Sequence, residues 1–244
     1  MRDIIDITFD LETADTAVTA APLQLAAVAW QRYMSVEIGL APWLTEGGKP
    51  VCYNRHADLT QGMMDGLTIS ADTAAWWSRQ SPAVQRAAAG SPADRLAPRD
   101  LWQTFFAWVE AVGRQTGARH TVLWCQGQDF DIAMLRHAAR HYGLALPVTQ
   151  YSFRDARTLA LETTLCASHV TADMLFDDPK GAPYEWYPAM PASEAGLTAG
   201  AAHDALYDAM RTAWSTWHCL RRISGMTDLQ DDGMRDLQDD GMTE

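Results

Sequence analysis

The segment Ile4 to Thr13, I-I-D-I-T-F-D-L-E-T, constrains the fold of this chain more than any other. Ile5, Ile7, Phe9 and Leu11 alternate along it, and a period of two describes a β-strand with an apolar face against a core. Asp10 and Glu12 then share the opposite face. The strand rise sets their carbons roughly 6–7 Å apart. Two carboxylates at that spacing, with nothing basic beside them in the sequence, repel each other. A divalent cation between them removes the repulsion, and hard oxygen donors suit Mg²⁺ or Mn²⁺. The alternative is a strand end carrying two solvated acids. The rest of the chain has to decide between them.

A chain of 244 residues suffices for one large domain or two small ones, and 48% hydrophobic content with ten Trp supports a sizeable core. No apolar run approaches the ~20 residues of a membrane span. The N-terminus runs straight into the acidic strand, so neither a signal peptide nor a membrane partner is expected. Cys52, Cys125, Cys166 and Cys219 are widely spaced, which fits reduced thiols in a cytoplasmic protein rather than a zinc site or disulfide framework. The formal net charge of −12, with Lys49 and Lys180 as the only lysines, excludes a protein that coats nucleic acid through a basic face. It leaves room for an enzyme that meets phosphates through bound cations.

Beyond the first strand, Leu23–Trp30 and the alternating Met34, Val36, Ile38 and Leu40 are expected to be the second and third strands, antiparallel to the first. Residues 41–68, with Gly47-Gly48, Pro50 and Gly62, are expected to be a long loop. Ser70 or Asp72 can cap a short helix through Trp76 and Trp77, and Ser81-Pro82 opens another. The two Trp side chains diverge by about 100° on a helix. Each fits either a packed core or a surface that stacks on a nucleotide base. Pro98 starts an amphipathic helix through Leu101, Phe105, Val109 and Val112, with Gly113 near its end. His120–Cys125 has the pattern of a buried strand. A helix from Phe130 to Tyr142 follows, with Asp129 as its cap and Gly143 at its C-terminus. Tyr151–Arg154 is expected to be a short strand, Asp155 to cap a further helix, and Asp204 to cap a long one that runs to Ile223. Residues 176–200 are expected to be irregular. Residues 1–225 are then one domain and 226–244 an acidic tail. In that tail D-L-Q-D-D-G-M occurs twice, predicting disorder. The repeat matches a calcium loop poorly, with Gln230 at the third position and Asp239 at the twelfth.

Three motifs stand in order: F-D-L-E-T at Phe9–Thr13, Q-G-Q-D-F-D at Gln126–Asp131 and H-D-A-L-Y-D at His203–Asp208. Together they resemble the DEDDh 3′→5′ exonucleases of the DnaQ-like, ribonuclease H-like superfamily. T-A-A-W-W-S-R-Q-S and F-R-D-A-R-T-L further resemble its exonuclease VIII-like phage and bacterial branch, which implies a bacterial or phage-infected cell. The resemblance covers about residues 3–224. It implies an α/β fold with a ribonuclease H-like mixed sheet, the first three strands antiparallel, the later ones parallel, and helices on its flanks. It implies that Asp10, Glu12, Asp131 and Asp208 bind two metal ions, Mg²⁺ or Mn²⁺, and that His203 is the general base. The implied substrate is the 3′ end of DNA or RNA, released as nucleoside 5′-monophosphates. The family often has Asn in the second motif. Here Gln126 and Gly127 stand nearby, so either Gln126 steadies the substrate or the adjacent acid with a longer arm, or the substrate preference differs. His203 lies five residues before Asp208, so it must precede the helix and is expected to swing freely. Arg154 and Arg157 fit phosphate contacts and acid pairing equally well. His137, His141 and His218 are expected to be surface or core residues. Two other functions stay open: a ribonuclease H-like endonuclease, which would not need the histidine, and a catalytically silent binding module. The oligomeric state is also open, a homodimer included.

Overall fold

The computed structural model describes residues 3–32, 42–165, 190 and 202–224. The opening segment is strand β1, Ile4–Thr13, and it lies inside a six-stranded sheet. Strand β2, Pro22–Trp30, returns antiparallel beside it. A two-residue hairpin follows, strands β3 (Thr45–Glu46) and β4 (Lys49–Pro50). It turns on Gly47 and Gly48, at φ 57° and 76°, the backbone region that a tight hairpin requires and glycine adopts without strain. Strand β5, Cys52–Ala57, is antiparallel to β2 and takes the third place in the antiparallel set. The expected strand at Met34–Leu40 lies outside the described residues. The expected loop over 41–68 is corrected: it contains the hairpin, β5 and helix α1, Leu59–Met64.

Two short helices come next, α2 (Ala71–Ser78), capped by Ser70, and α3 (Pro82–Ala89), capped by Ser81 with Pro82 at its first position. Strand β6, Arg95–Leu96, pairs parallel with β5. Helix α4 spans Pro98–Thr116 and ends at Gly117, in the left-handed region, rather than near Gly113. Gly113 is interior to it because the helix crosses strand β7, His120–Cys125, too closely for a side chain. A Cβ there would lie 2.8 Å from Thr121 Oγ1. β7 runs parallel to β1 on the side away from β2, and strand β8, Phe153–Asp155, runs parallel to β7. The remaining helices are α5 (Asp131–Tyr142), α6 (Ala156–Leu165) and α7 (Ala205–Ile223). The sheet order β6-β5-β2-β1-β7-β8 is the expected mixed sheet, antiparallel at its first strands and parallel beyond.

Helices cover both faces. Ile5, Ile7, Phe9 and Leu11 pack with Phe105 and Val109 of α4 and Leu135 of α5. On the other face Val28, Trp30 and Trp124 pack against Leu206, Met210 and Trp217 of α7. β1 is therefore buried on both sides, and the polar residues on its second face must be paired. Thr8 Oγ1 accepts from Trp30 Nε1 at 2.9 Å, and Asp6 accepts from Trp124 Nε1 at 2.8 Å and from Arg32 Nε at 2.9 Å. Asp10 and Glu12 continue this face toward the C-terminal end of the strand. The expected irregular segment, apart from residue 190, and residues 225–244 lie outside the described residues.

Candidate active site

The carboxylates meet where β1 runs out of sheet. Its pairing with β7 ends at Thr8, while its pairing with β2 continues to Thr13 with a register shift after Glu12. Asp10 and Glu12 thus project past the end of β7, where a helix N-terminus can approach them. Two do, both from the second half of the chain: α5 on one face of the sheet and α7 on the other. Asp131 is the first residue of α5, and its carboxylate accepts N–H bonds from its own backbone and from Leu11. Asp208 lies in the first turn of α7.

The start of α7 is seated by an amide that the sequence hid within an apolar strand. Gln24 of β2 stands opposite Glu12 and is almost fully buried. Its Oε1 accepts from Ala205 N at 3.0 Å, and its Nε2 donates to Asp204 Oδ1 and to Asn54 Oδ1, both at 3.0 Å. Asp204 also caps the helix through Leu206 N, at 3.2 Å, as its sequence position predicts. His203, just before the cap, has φ 69°, an uncommon conformation for a residue with a side chain. Its backbone N–H donates to Asp208 Oδ2 at 2.7 Å. Its Nδ1 lies 4.0 Å from Glu12 Oε1. Glu12, His203 and Asp208 each offer a donor atom, all within 4.8 Å of one another.

Burial dominates the electrostatics. It pushes the Glu12 carboxyl up to about 8, helped by the charges of Asp208, Asp131 and Asp204. It pushes Asp131 to about 8 against the pull of its two backbone N–H bonds and Arg157. Asp10 is raised well above the usual range by burial and then by Asp131, Glu12 and Asp208. Asp208 is raised by burial, with Arg211 pulling the other way. Burial raises all four acids, and the charges of Asp131, Glu12 and Asp208 raise Asp10 further. Carboxylates crowded in this way are oxygen donors suited to a hard divalent cation.

Several sequence expectations change here. The acids do have basic neighbours. Arg211, one helical turn beyond Asp208, places Nη2 3.1 Å from Asp208 Oδ1, and that i,i+3 spacing was the readable signal. Arg157 donates to Gln126 O at 3.1 Å beside Asp131, whereas Arg154, exposed, turns to the carbonyls of Tyr151 and Phe153. Asp129 is exposed and caps nothing. Phe130 is the N-cap residue of α5, without a side-chain cap bond. Gln126 Oε1 accepts from Thr212 Oγ1 at 3.3 Å, so its longer arm reaches α7. Neither Trp76 nor Trp77 belongs to a core. Both are half-buried with their rings against His203, at 4.7 and 6.5 Å between centroids. The His203 backbone N–H is therefore held by Asp208, and its ring is flanked by the two indoles.

The mixed sheet, antiparallel at its first strands and parallel beyond with helices on both faces, is the fold of ribonuclease H-like nucleases. Solved structures agree on the fold. The chain is similar to cell-death related nuclease 4 (CRN-4), with a TM-score of 0.52, 14% identity and 93% of this chain covered, and it spans 66% of that chain's length. It is also similar to the nuclease domain of 3′hExo, a DEDDh family member solved bound to rAMP, with a TM-score of 0.51, 9% identity and coverage of 91% of this chain and 92% of that one. No curated protein matches the chain. Residues 6–220 match the family described as the 3′-5′ exoribonuclease Rv2179c-like domain, so the chain belongs to that family and is a 3′-5′ exonuclease. The match does not name the exonuclease VIII-like branch. No described helix is long and apolar enough to cross a membrane.

Proposed function

We propose that the chain degrades RNA from its 3′ end, releasing nucleoside 5′-monophosphates with the help of two divalent ions, Mg²⁺ or Mn²⁺. The observation that carries this reading is the donor cluster of Glu12, His203 and Asp208, within 4.8 Å, beside Asp10 and Asp131. Asp10, Glu12, Asp131 and Asp208 would hold the ions. When bound, such ions supply charge stabilisation at the phosphate and the leaving oxygen. His203 takes the proton from the attacking water. The water oxygen bonds to phosphorus and the bond to the ribose O3′ breaks. The buried Gln24 bracket and the cap at Asp204 fix His203 and Asp208 relative to β1, which supports a preorganised site. RNA is favoured over DNA by the family description and by the ribonucleotide bound to 3′hExo. With a formal charge of −12, the chain depends on its cations to meet a polyanion.

The test uses 5′-labelled and 3′-labelled RNA and DNA of one sequence, with Mg²⁺, Mn²⁺ or excess chelator. The expected result is a ladder of shortening 5′-labelled RNA, immediate release of labelled mononucleotide from the 3′ label, slower action on DNA and none with chelator. Internal cuts that appear before end products would select the endonuclease, and cleavage in chelator would remove the metal mechanism.

A further inference from the structure

Helix α2 contributes nothing to either core: all eight of its residues are exposed or half-buried. Yet it is firmly placed. Ser70 N donates to Ala14 O at 2.9 Å and Trp77 Nε1 donates to Thr13 O at 2.9 Å, so the helix lies across the end of β1 next to Glu12. Its two largest side chains converge on one ring. Trp76 meets His203 edge-to-face at 4.7 Å, Trp77 flanks the same imidazole at 6.5 Å, and the two indoles brace each other at 5.0 Å. The imidazole otherwise depends on a residue in a strained backbone conformation, with its side chain 44% exposed. A side chain in that position samples several rotamers unless something blocks them.

We infer that Trp76, seconded by Trp77, is a positioning residue that holds the His203 imidazole toward Glu12. This rests on His203 being the general base. Edge-to-face contact with an indole restrains the orientation of the ring while leaving its nitrogens accessible. A base misplaced by about 1 Å loses on the order of 10²-fold in rate. The Trp pair therefore acts on turnover rather than on metal binding or substrate affinity.

The experiment is a double-mutant cycle on full-length protein with RNA and Mg²⁺, comparing wild type, Trp76→Leu, His203→Ala and the double variant. Trp76→Phe, which keeps a ring, is the rescue. The expected result is that Trp76→Leu lowers kcat by roughly 10–10²-fold with KM and calorimetric metal affinity unchanged, and that Trp76→Phe recovers most of the loss. In the His203→Ala background the same Trp76→Leu change then costs less than about 2-fold, because its target is gone. An equal loss with and without His203, or a loss carried by KM, would show that the indole acts on the substrate, as a stacking surface for a base, and would overturn the inference. Wild-type kcat in Trp76→Leu would overturn it as well. If His203→Ala alone cuts at the wild-type rate, it is the general-base reading that fails, whatever Trp76 does.

Discussion

Asp208 carries several demands at once. One oxygen accepts the His203 backbone N–H at 2.7 Å and the other faces Arg211 at 3.1 Å. The first contact offsets the cost of a non-glycine residue at φ 69°, on the order of 1–2 kcal/mol. The second leaves a monovalent cation beside one acid while Glu12 stays pushed up to about 8 by burial and its neighbours. Asp131 differs in kind, since its carboxylate is tied to backbone N–H groups and has Arg157 nearby. Asp131→Asn keeps the shape and removes the charge. It should lower the rate by roughly 10²–10³-fold, the loss typical of a removed electrostatic group at a reacting centre, without lowering the melting temperature of metal-free protein. Asp129→Asn changes an exposed residue that caps nothing, so stability should move by less than about 0.5 kcal/mol and activity should stay. Paired single-turnover rates and melting curves check this. An inactive Asp129→Asn beside an active Asp131→Asn would mean that the second motif is misaligned.

At the scale of elements, the site depends on one joint: the start of α7 against β1 and β2. Gln24 makes that joint with one acceptor and two donor bonds, all at 3.0 Å. Gln24→Met preserves length and apolar contact but removes the buried acceptor of Ala205 N–H and one of the donors to Asp204 Oδ1. Each such loss costs about 1–3 kcal/mol. The variant's urea midpoint should fall accordingly at an unchanged slope, and its Mg²⁺ affinity should weaken because Asp208 is no longer held against Glu12. An unchanged midpoint would show that the cap at Asp204 suffices. This joint also marks the limit of reading a sequence. The β1 strand, the His120–Cys125 strand and the Asp204 cap are local signals, set by alternation and by the chemistry of a helix start, and they are where their residues predict. Cys52–Ala57 was not legible because only Tyr53 and Ala57 of that strand are buried, and Asn54, Arg55 and His56 mask the alternation. Gln24 was not legible because a lone amide in an apolar strand carries no sign of a partner 180 residues away. Trp76 and Trp77 were set apart by the angle between adjacent helical residues. Two indoles are nonetheless large enough for their edges to reach one small ring from neighbouring directions.

Across the whole molecule, the buried acids couple stability to pH and to metal. Glu12 moves from 4.5 to about 8 on folding and Asp131 from 3.8 to about 8, with Asp10 and Asp208 raised as well. A raised carboxyl pKa means that the folded state holds a proton which the unfolded chain has released. The slope of stability with pH is set by protons bound unfolded minus protons bound folded, and here it is negative. The contribution is fully present below the unfolded values near 4 and is lost as pH rises through about 8. Protein stripped with chelator should therefore melt at progressively lower temperature from pH 5 to pH 8. A divalent cation binds the ionised form, so its stabilisation should grow over the same interval as protons cease to compete. The difference in melting temperature between Mg²⁺ and chelator should be small at pH 5 and several degrees at pH 8. General repulsion in a chain of formal charge −12 also grows with pH, and it is screened by salt over about 8 Å at 0.15 M ionic strength. Raising KCl should flatten that part and leave the difference between Mg²⁺ and chelator in place, since Glu12, Asp131 and Asp208 are buried. A difference that is flat with pH, or one that KCl abolishes, would show that the cation acts on the surface charge and not on the four carboxylates at the end of β1.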